Sequence, residues 1–85
     1  PSNFYAHHSI CFDRNDVLSE HEVINLLKSH GFTIANMRYR TSDDGYSFEY
    51  RMVIGTVDSN KMATLAESLR NLPNVRSFRI SPTGD

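Results

Sequence analysis

The fold is decided by the stretch Tyr46-Ser47-Phe48-Glu49-Tyr50-Arg51-Met52-Val53-Ile54, in which side chains alternate in polarity. A period of two predicts a β-strand with one face against a core and the other facing away from it. The residues expected on the core face are Tyr46, Phe48, Tyr50, Met52 and Ile54, and those on the opposite face are Ser47, Glu49, Arg51 and Val53.

A hairpin is predicted on the N-terminal side of this strand. Ser42-Asp43-Asp44-Gly45 is a turn sequence, and Asp-Gly is a strong signal for a tight connection between two strands. The partner strand is predicted over Phe32–Arg40. Its apolar residues alternate only if the strand slips by one residue near Asn36, which predicts a β-bulge and favours an edge position.

Two helices are predicted, one on each side of the hairpin. Ser19 and Glu22 have the spacing of a capping box, and Gly31 ends the first helix. The second helix is capped by Asp58 or Ser59 and is stopped at Leu72-Pro73-Asn74. Their inner faces are predicted to be Val23, Leu26, Leu27 and His30 in the first helix, and Met62, Leu65, Ala66 and Leu69 in the second.

Two outer segments complete the pattern. Phe4–Phe12 alternates in polarity and is predicted to be a half-buried strand, in which His7 and His8 lie on opposite faces. A last strand is predicted to carry Val75, Phe78 and Ile80, and it is followed by a polar end at Ser81–Asp85. The order β-α-β-β-α-β predicts an α+β fold. We expect a ferredoxin-like sandwich over residues 1–85, a single domain with a four-stranded antiparallel sheet and both helices on one face.

Composition excludes several function classes. The 85-residue chain has a formal net charge of −1, so it lacks the basic excess typical of nucleic-acid binders. One cysteine, Cys11, excludes an internal disulfide. The turn and helix entry account for the carboxylate pairs Asp13/Asp16 and Asp43/Asp44 without a metal. Because no phosphate loop or activated nucleophile is present, we expect a non-enzyme with no catalytic residue, metal or cofactor.

Three segments give the chain a resemblance to the ACT domain family. Asp13-Arg14-Asn15-Asp16-Val17-Leu18 is similar to the family's loop after the first strand, and His30-Gly31-Phe32-Thr33-Ile34 is similar to its entry into the second strand. Leu69–Phe78 resembles its short helix and Leu-Pro-Gly-Val ending. The resemblance implies a small regulatory domain that either self-associates or binds an amino acid.

A narrower resemblance lies in the ending Phe78-Arg79-Ile80-Ser81-Pro82-Thr83-Gly84-Asp85, which looks like the C-terminus of MgtC/SapB-type bacterial membrane proteins. It implies a cytosolic domain on the cytoplasmic side of the inner membrane, in a protein linked to magnesium homeostasis or virulence. The chain begins at Pro1 without a methionine, and we expect it to be a fragment whose membrane part lies upstream.

The ACT resemblance implies a ligand-binding loop at Asp13, Asn15, Asp16 and Val17. ACT domains that bind amino acids usually have glycine in this loop, so that the ligand can approach the backbone. Here Asn15 and Asp16 stand in its place, and the anionic side chain would repel a ligand carboxylate. A small-molecule effector module is therefore the alternative to a domain that acts through protein contacts.

The strand arginines and the sheet edges are the remaining candidates. Arg38, Arg40 and Arg51 can recognise phosphate or carboxylate if they share the bare face of the sheet, whereas edge protection explains charge on outer strands without a ligand. We expect a homodimer, or a protein partner, through the edges and no nucleic-acid partner. The edge residues are Met37, Arg38, Tyr39 and Arg40 in one strand and Phe78, Arg79 and Ile80 in the other.

Overall fold

The computed structural model describes residues 3–84 and confirms the predicted order of strands and helices. The sheet order is β2-β3-β1-β4, and all three neighbouring pairs are antiparallel. Pro1, Ser2 and Asp85 lie outside the described residues, and with them the ends of the predicted domain 1–85. The elements are β1 (Phe4–Asp13), α1 (Glu20–Ser29), β2 (Thr33–Thr41), β3 (Ser47–Thr56), α2 (Asn60–Arg70) and β4 (Val75–Pro82).

The core lies between one face of the sheet and both helices. Alternate residues of β1 and β3 are buried, and they pack against buried residues of both helices, so the helices share one sheet face. Each fully buried aliphatic side chain stabilises the fold by about 1.5–3 kcal/mol relative to exposure. The buried apolar residues of these four elements are Ala6, Ile10, Phe12, Tyr50, Met52, Ile54, Val23, Leu27, Leu65 and Leu69.

Helix α1 begins at the predicted capping box. The Ser19 hydroxyl accepts the Glu22 backbone N–H at 3.1 Å, and the Glu22 carboxylate accepts the Ser19 backbone N–H at 3.0 Å. That second hydrogen bond holds the pKa of Glu22 below its ordinary value. The helix is closed by Gly31, whose φ of 89° lies in the left-handed region that favours glycine. His30 then joins the helices, because its Nε2 lies 2.8 Å from the Ser68 hydroxyl of α2.

Helix α2 is entered differently. Ser59 occupies the cap position but its side chain forms no capping hydrogen bond, whereas the Asp58 carboxylate accepts the Asn60 backbone N–H at 3.0 Å. Asp58 is therefore the residue of the predicted pair that satisfies a free donor at this helix entry.

The edge strand β2 contains the predicted bulge. Its register against β3 shifts between Ala35 and Arg38, and Asn36 has a φ of 59°. At the hairpin tip, the Asp44 carboxylate accepts hydrogen bonds from the Ser42 hydroxyl and the Tyr46 backbone N–H, and these bonds lower the pKa of Asp44. The Asp44 carboxylate therefore has its hydrogen-bond partners within the hairpin turn.

Strand β4 extends further than the sequence predicts. Ser81 and Pro82, which were expected to belong to a polar end, pair with His7 and Ala6 of β1. The ladder continues because backbone pairing does not depend on side-chain polarity. No helix within residues 3–84 has the length and apolar character needed to span a membrane.

Candidate functional site

The sheet face opposite the helices carries a row of side chains that crosses all four strands. Arg38 of β2 lies directly opposite Arg51 of β3, Arg51 lies opposite Ser9 of β1, and Ser9 lies opposite Arg79 of β4. Directly opposed residues in an antiparallel sheet project from the same face. We refer to Arg38, Arg51 and Arg79 as the arginine row.

Two further arginines extend this positive surface. Arg40 lies opposite Glu49 on the same face. Arg76 reaches the end of the face, where its Nη1 is 3.3 Å from the Ser47 hydroxyl and 3.8 Å from Asp13 Oδ2. Five of the nine basic residues are therefore on the bare face, and Glu49 and Asp13 are carboxylates beside them.

The arginine row keeps most of its hydrogen-bond donors free. Arg51 Nε donates to Glu49 Oε1 at 2.7 Å, and about half of the Arg51 side chain (52%) remains exposed. Within residues 3–84, the side chains of Arg38 and Arg79 form neither a hydrogen bond nor a salt bridge. An arginine fork left open in this way can bind an anion bidentately.

The row lies in a shallow concavity of about 580 Å³ on the bare face. His7 and Ser9 of β1 contribute polar groups to it, Val53 of β3 contributes an apolar side chain, and Asn36 lies at the β2 bulge. The concavity therefore has polar side chains on β1 and on the two outer strands, where Asn36 lies on β2 and Ser77 on β4.

Most of the predicted loop residues form a local turn that is held by backbone hydrogen bonds. The backbone N–H groups of Arg14, Asn15 and Asp16 donate to Tyr46 O, Asp13 Oδ1 and Asp13 O, at 2.9, 3.0 and 2.9 Å. Asp13, Asn15 and Asp16 are thus brought together by hydrogen bonds within the loop. Val17 is separate from them and lines another open concavity, of about 530 Å³, with Phe48 and Tyr50.

The predicted contact segments are both at free edges of the sheet. Met37–Arg40 lies in β2 and Phe78–Ile80 lies in β4, the two outermost strands. On the β2 side, Tyr39 packs edge-on against Tyr50, and its hydroxyl donates a hydrogen bond to the Glu20 carboxylate, which raises the pKa of Tyr39. The tyrosine therefore leans toward α1 and covers part of that edge.

His8 is a buried polar residue on the core face of β1, where the alternation places it with Ala6 and Ile10. Its side chain is only 2% exposed, and burial lowers the pKa of the imidazole. Its Nε2 has no hydrogen-bond partner among the described residues. His7, the next residue, faces the bare side of the sheet, so the two histidines are separated as predicted.

The described residues do not form a recognisable metal centre. Within residues 3–84, no group of three or more histidine, cysteine, aspartate or glutamate side chains is close enough to hold a metal ion. Cys11 is a half-buried free thiol opposite Glu49 and Ser77.

The sequence predicted the arginines of the hairpin but not the complete row. Period two along β2 and β3 places Arg38, Arg40 and Arg51 together, whereas joining Arg79 and Ser9 to them requires the strand order. Arg76 reaches this face because the β1–β4 register shifts between Cys11 and Phe12. The local trace of this bulge is the three-residue spacing of Val75 and Phe78, which both pack against the core although period two would require an even spacing.

Comparison with known proteins supports the fold. The chain matches no protein-family model and no curated protein. Among solved structures, it is similar to the ACT domain from the GTP pyrophosphokinase of Chlorobium tepidum. The TM-score is 0.64 at 20% sequence identity, and the match covers 93% of this chain and 99% of that one. The protein is therefore a small domain of ferredoxin-like, ACT-like fold.

Proposed function

We propose that this chain is a non-catalytic regulatory domain that acts through protein contacts, chiefly by self-association through the edge of β4. The observation that carries the proposal is the free hydrogen-bonding edge of β4. An unpaired strand edge is a template for pairing with another chain.

The geometry of β4 suits such a contact. Thr83 N–H donates to Tyr5 O at 2.9 Å, and hydrogen-bonded and non-hydrogen-bonded pairs alternate along an antiparallel ladder. The backbone groups of Phe78 and Ile80 therefore point away from β1, toward the free edge. Pro82, at the next outward position, lacks an N–H and limits the length of the edge.

A symmetric antiparallel register centred on Phe78 is the most favourable pairing. It places Phe78 opposite its own copy on the helix side of the sheet and places Arg79 opposite Ser77 on the bare side. Centring on Arg79 instead would oppose two like charges, which is destabilising. The β2 edge is less suitable, because its bulge interrupts the ladder and three consecutive residues, Arg38, Tyr39 and Arg40, are exposed there.

Light scattering tests this proposal by measuring the molar mass of the protein in solution. The protein concentration should be about 100 µM, which is on the order of the Kd of a weak homodimer. We expect a dimer for the unmodified chain and a monomer for Ser77→Lys, which opposes a lysine to the partner's arginine. Thr41→Lys, on the β2 edge, is the matched control and keeps the dimer. A monomeric unmodified chain contradicts self-association, and loss of the dimer in Thr41→Lys assigns it to the other edge.

The parent protein is proposed to be an MgtC/SapB-like membrane protein, in which this domain lies on the cytoplasmic side of the bacterial inner membrane. The support is the resemblance of the ending Phe78–Asp85, and it implies a role in magnesium homeostasis or virulence. The full-length reading frame tests the assignment. Several apolar spans upstream of Pro1 support it, and an enzyme domain upstream contradicts it.

The alternative function is a small-molecule effector module of the amino-acid-binding kind. The observation that favours it is the open concavity beside Val17. The backbone N–H groups of Arg14, Asn15 and Asp16 are already hydrogen-bonded, so they are not available to a ligand there. Calorimetric titration with the twenty amino acids and with Mg²⁺ tests it. Micromolar binding that is lost in Val17→Asp and kept in Val57→Asp, an exposed valine elsewhere, would establish this alternative.

A further inference from the structure

We propose that the arginine row binds a small ligand carrying at least two phosphate groups. The site is on the bare face of the sheet, and one of its arginines, Arg79, belongs to β4, the strand used in the proposed self-association.

Arg51 shows that edge protection does not account for the row. Charged residues on β2 and β4 discourage stray pairing of outer strands. Arg51 lies on β3, which is paired on both sides by β2 and β1, and therefore has no free edge to protect. It nevertheless projects from the bare face and keeps about half of its surface (52%) exposed.

The placement of Arg38 opposite Arg51 is unfavourable for folding alone. Like charges that face each other directly across neighbouring strands destabilise a sheet. Glu49 offsets the charge of Arg51 through one hydrogen bond, but Arg38 and Arg79 have no such partner among residues 3–84. An anion bound between these guanidinium groups would relieve the repulsion and accept their free N–H groups.

The spacing of the row defines the class of ligand. Neighbouring strands are about 4.8 Å apart, so Arg38 and Arg51 are close enough to hold one anionic group together. Arg79 lies two strands beyond Arg51, about 10 Å away at the backbone, with the Ser9 hydroxyl between them. A second anionic group can therefore be bound at Arg79. The concavity of about 580 Å³ has the size of a small-molecule site.

A small ligand fits this face better than a nucleic acid does. Single-stranded nucleic acids are held by aromatic side chains on which successive bases stack. None of the four residues that cross the sheet in this row is aromatic. His7 offers one imidazole ring beside the row, and the nearest tyrosine or phenylalanine on the bare face, Tyr5, lies at the far end, over Gly55. The chain also has a net negative charge, which opposes a long polyanion more than a small one.

Calorimetric titration with inorganic pyrophosphate at constant ionic strength tests the proposal, with sulfate as the comparison anion. We expect pyrophosphate to bind more tightly than sulfate. Arg38→Gln, Arg51→Gln and Arg79→Gln should each weaken binding about tenfold, because each removes charge-assisted hydrogen bonds. Arg51→Lys keeps the charge without the fork and should give an intermediate loss. Arg70→Gln, on the exposed side of α2 beside Glu67, is the matched control and should leave the affinity unchanged.

Three outcomes would overturn the assignment. Pyrophosphate could bind no more tightly than sulfate, or Arg70→Gln could weaken pyrophosphate binding as much as the three row variants do. A single-stranded oligonucleotide could also bind more tightly than pyrophosphate and lose that binding in the same row variants. Circular dichroism of each variant separates a lost site from a lost fold. Amide chemical shifts of Ser9, Arg38 and Arg51, which lie on strands other than β4, report on ligand binding to this face whatever the oligomeric state.

Discussion

The Nδ1 atom of His8 lies 2.7 Å from the backbone carbonyl oxygen of Arg79. A carbonyl oxygen only accepts hydrogen bonds, so Nδ1 carries the proton and the buried Nε2 is the unprotonated nitrogen. The contact joins β1 to β4 from the core side, while the side chain of Arg79 projects from the opposite face. One residue of β4 thus connects the core histidine with the arginine row.

This arrangement predicts a pH-dependent stability. Burial lowers the pKa of His8 below its ordinary value of 6.5, so the unfolded chain binds the proton more readily than the folded one. The free energy of unfolding should therefore fall as the pH drops below 6.5, by at most about 1.4 kcal/mol per pH unit from this group. Urea unfolding at pH 5, 6 and 7 measures the effect.

His8→Leu should flatten this part of the pH profile, and His7→Gln, on the exposed face, is the control that should keep it. Equal slopes in the unmodified chain and in His8→Leu would show that another group is responsible.

The opposition of Arg38 and Arg51 predicts a substitution that stabilises the fold. Arg38→Glu replaces a like-charge pair by an opposite pair and should raise the free energy of unfolding by about 0.5–1 kcal/mol at low salt. Thr41→Glu, on the same edge strand but opposite Phe48, should have little effect. Thermal unfolding in low salt and in 1 M salt measures the stability of both variants. The gain in stability of Arg38→Glu should disappear in 1 M salt, because salt screens the charges. A loss of stability in Arg38→Glu would mean that Arg38 has a structural role.

The two helix entries predict unequal effects of the same substitution. Ser19→Ala removes both the acceptor for Glu22 N–H and the capping box, and it should cost about 1 kcal/mol. Ser59→Ala should cost much less, because the Ser59 side chain forms no capping hydrogen bond. Urea unfolding of the two variants compares them directly, and equal losses would contradict the assignment of the cap at α2 to Asp58.

Gly55 and Tyr5 predict coupled effects on stability. A Cβ on Gly55 would be 2.9 Å from Tyr5 Cε1 and 3.1 Å from Thr33 Oγ1, so Gly55→Ala should destabilise the chain. In a Tyr5→Ala background the closest of these contacts is absent, and the same change should destabilise the chain less, with only the Thr33 contact remaining. A double-mutant cycle followed by urea unfolding measures the coupling, and additive effects would show that the ring moves aside without cost.

The local elements follow from short-range physics, and the sequence predicts them well. Period two in β3 and β1, the capping box at Ser19 and the glycine at the end of α1 are each set by neighbours within four residues. The bulge near Asn36 can also be predicted from the sequence, because the apolar alternation of β2 shifts by one residue there. The extension of β4 to Pro82 is different, since it depends on a backbone partner in β1 about 75 residues away in the chain, a separation no local pattern spans.

By itself, then, the sequence determined the order of the strands and helices and the apolar face of each, because both depend on periodicity. Exceptions are Ser81 and Pro82, which belong to β4, and Tyr46, which is exposed just outside β3. Only the tertiary structure decided that Arg79 joins Arg38 and Arg51, since that requires the order β2-β3-β1-β4 and the register of three strand pairs. The tertiary structure likewise decided that the N–H groups in the loop at Asp13–Asp16 are hydrogen-bonded within the protein and that His8 is buried against β4. These features depend on long-range pairing, in which residues distant along the chain are fixed within a few ångströms of one another.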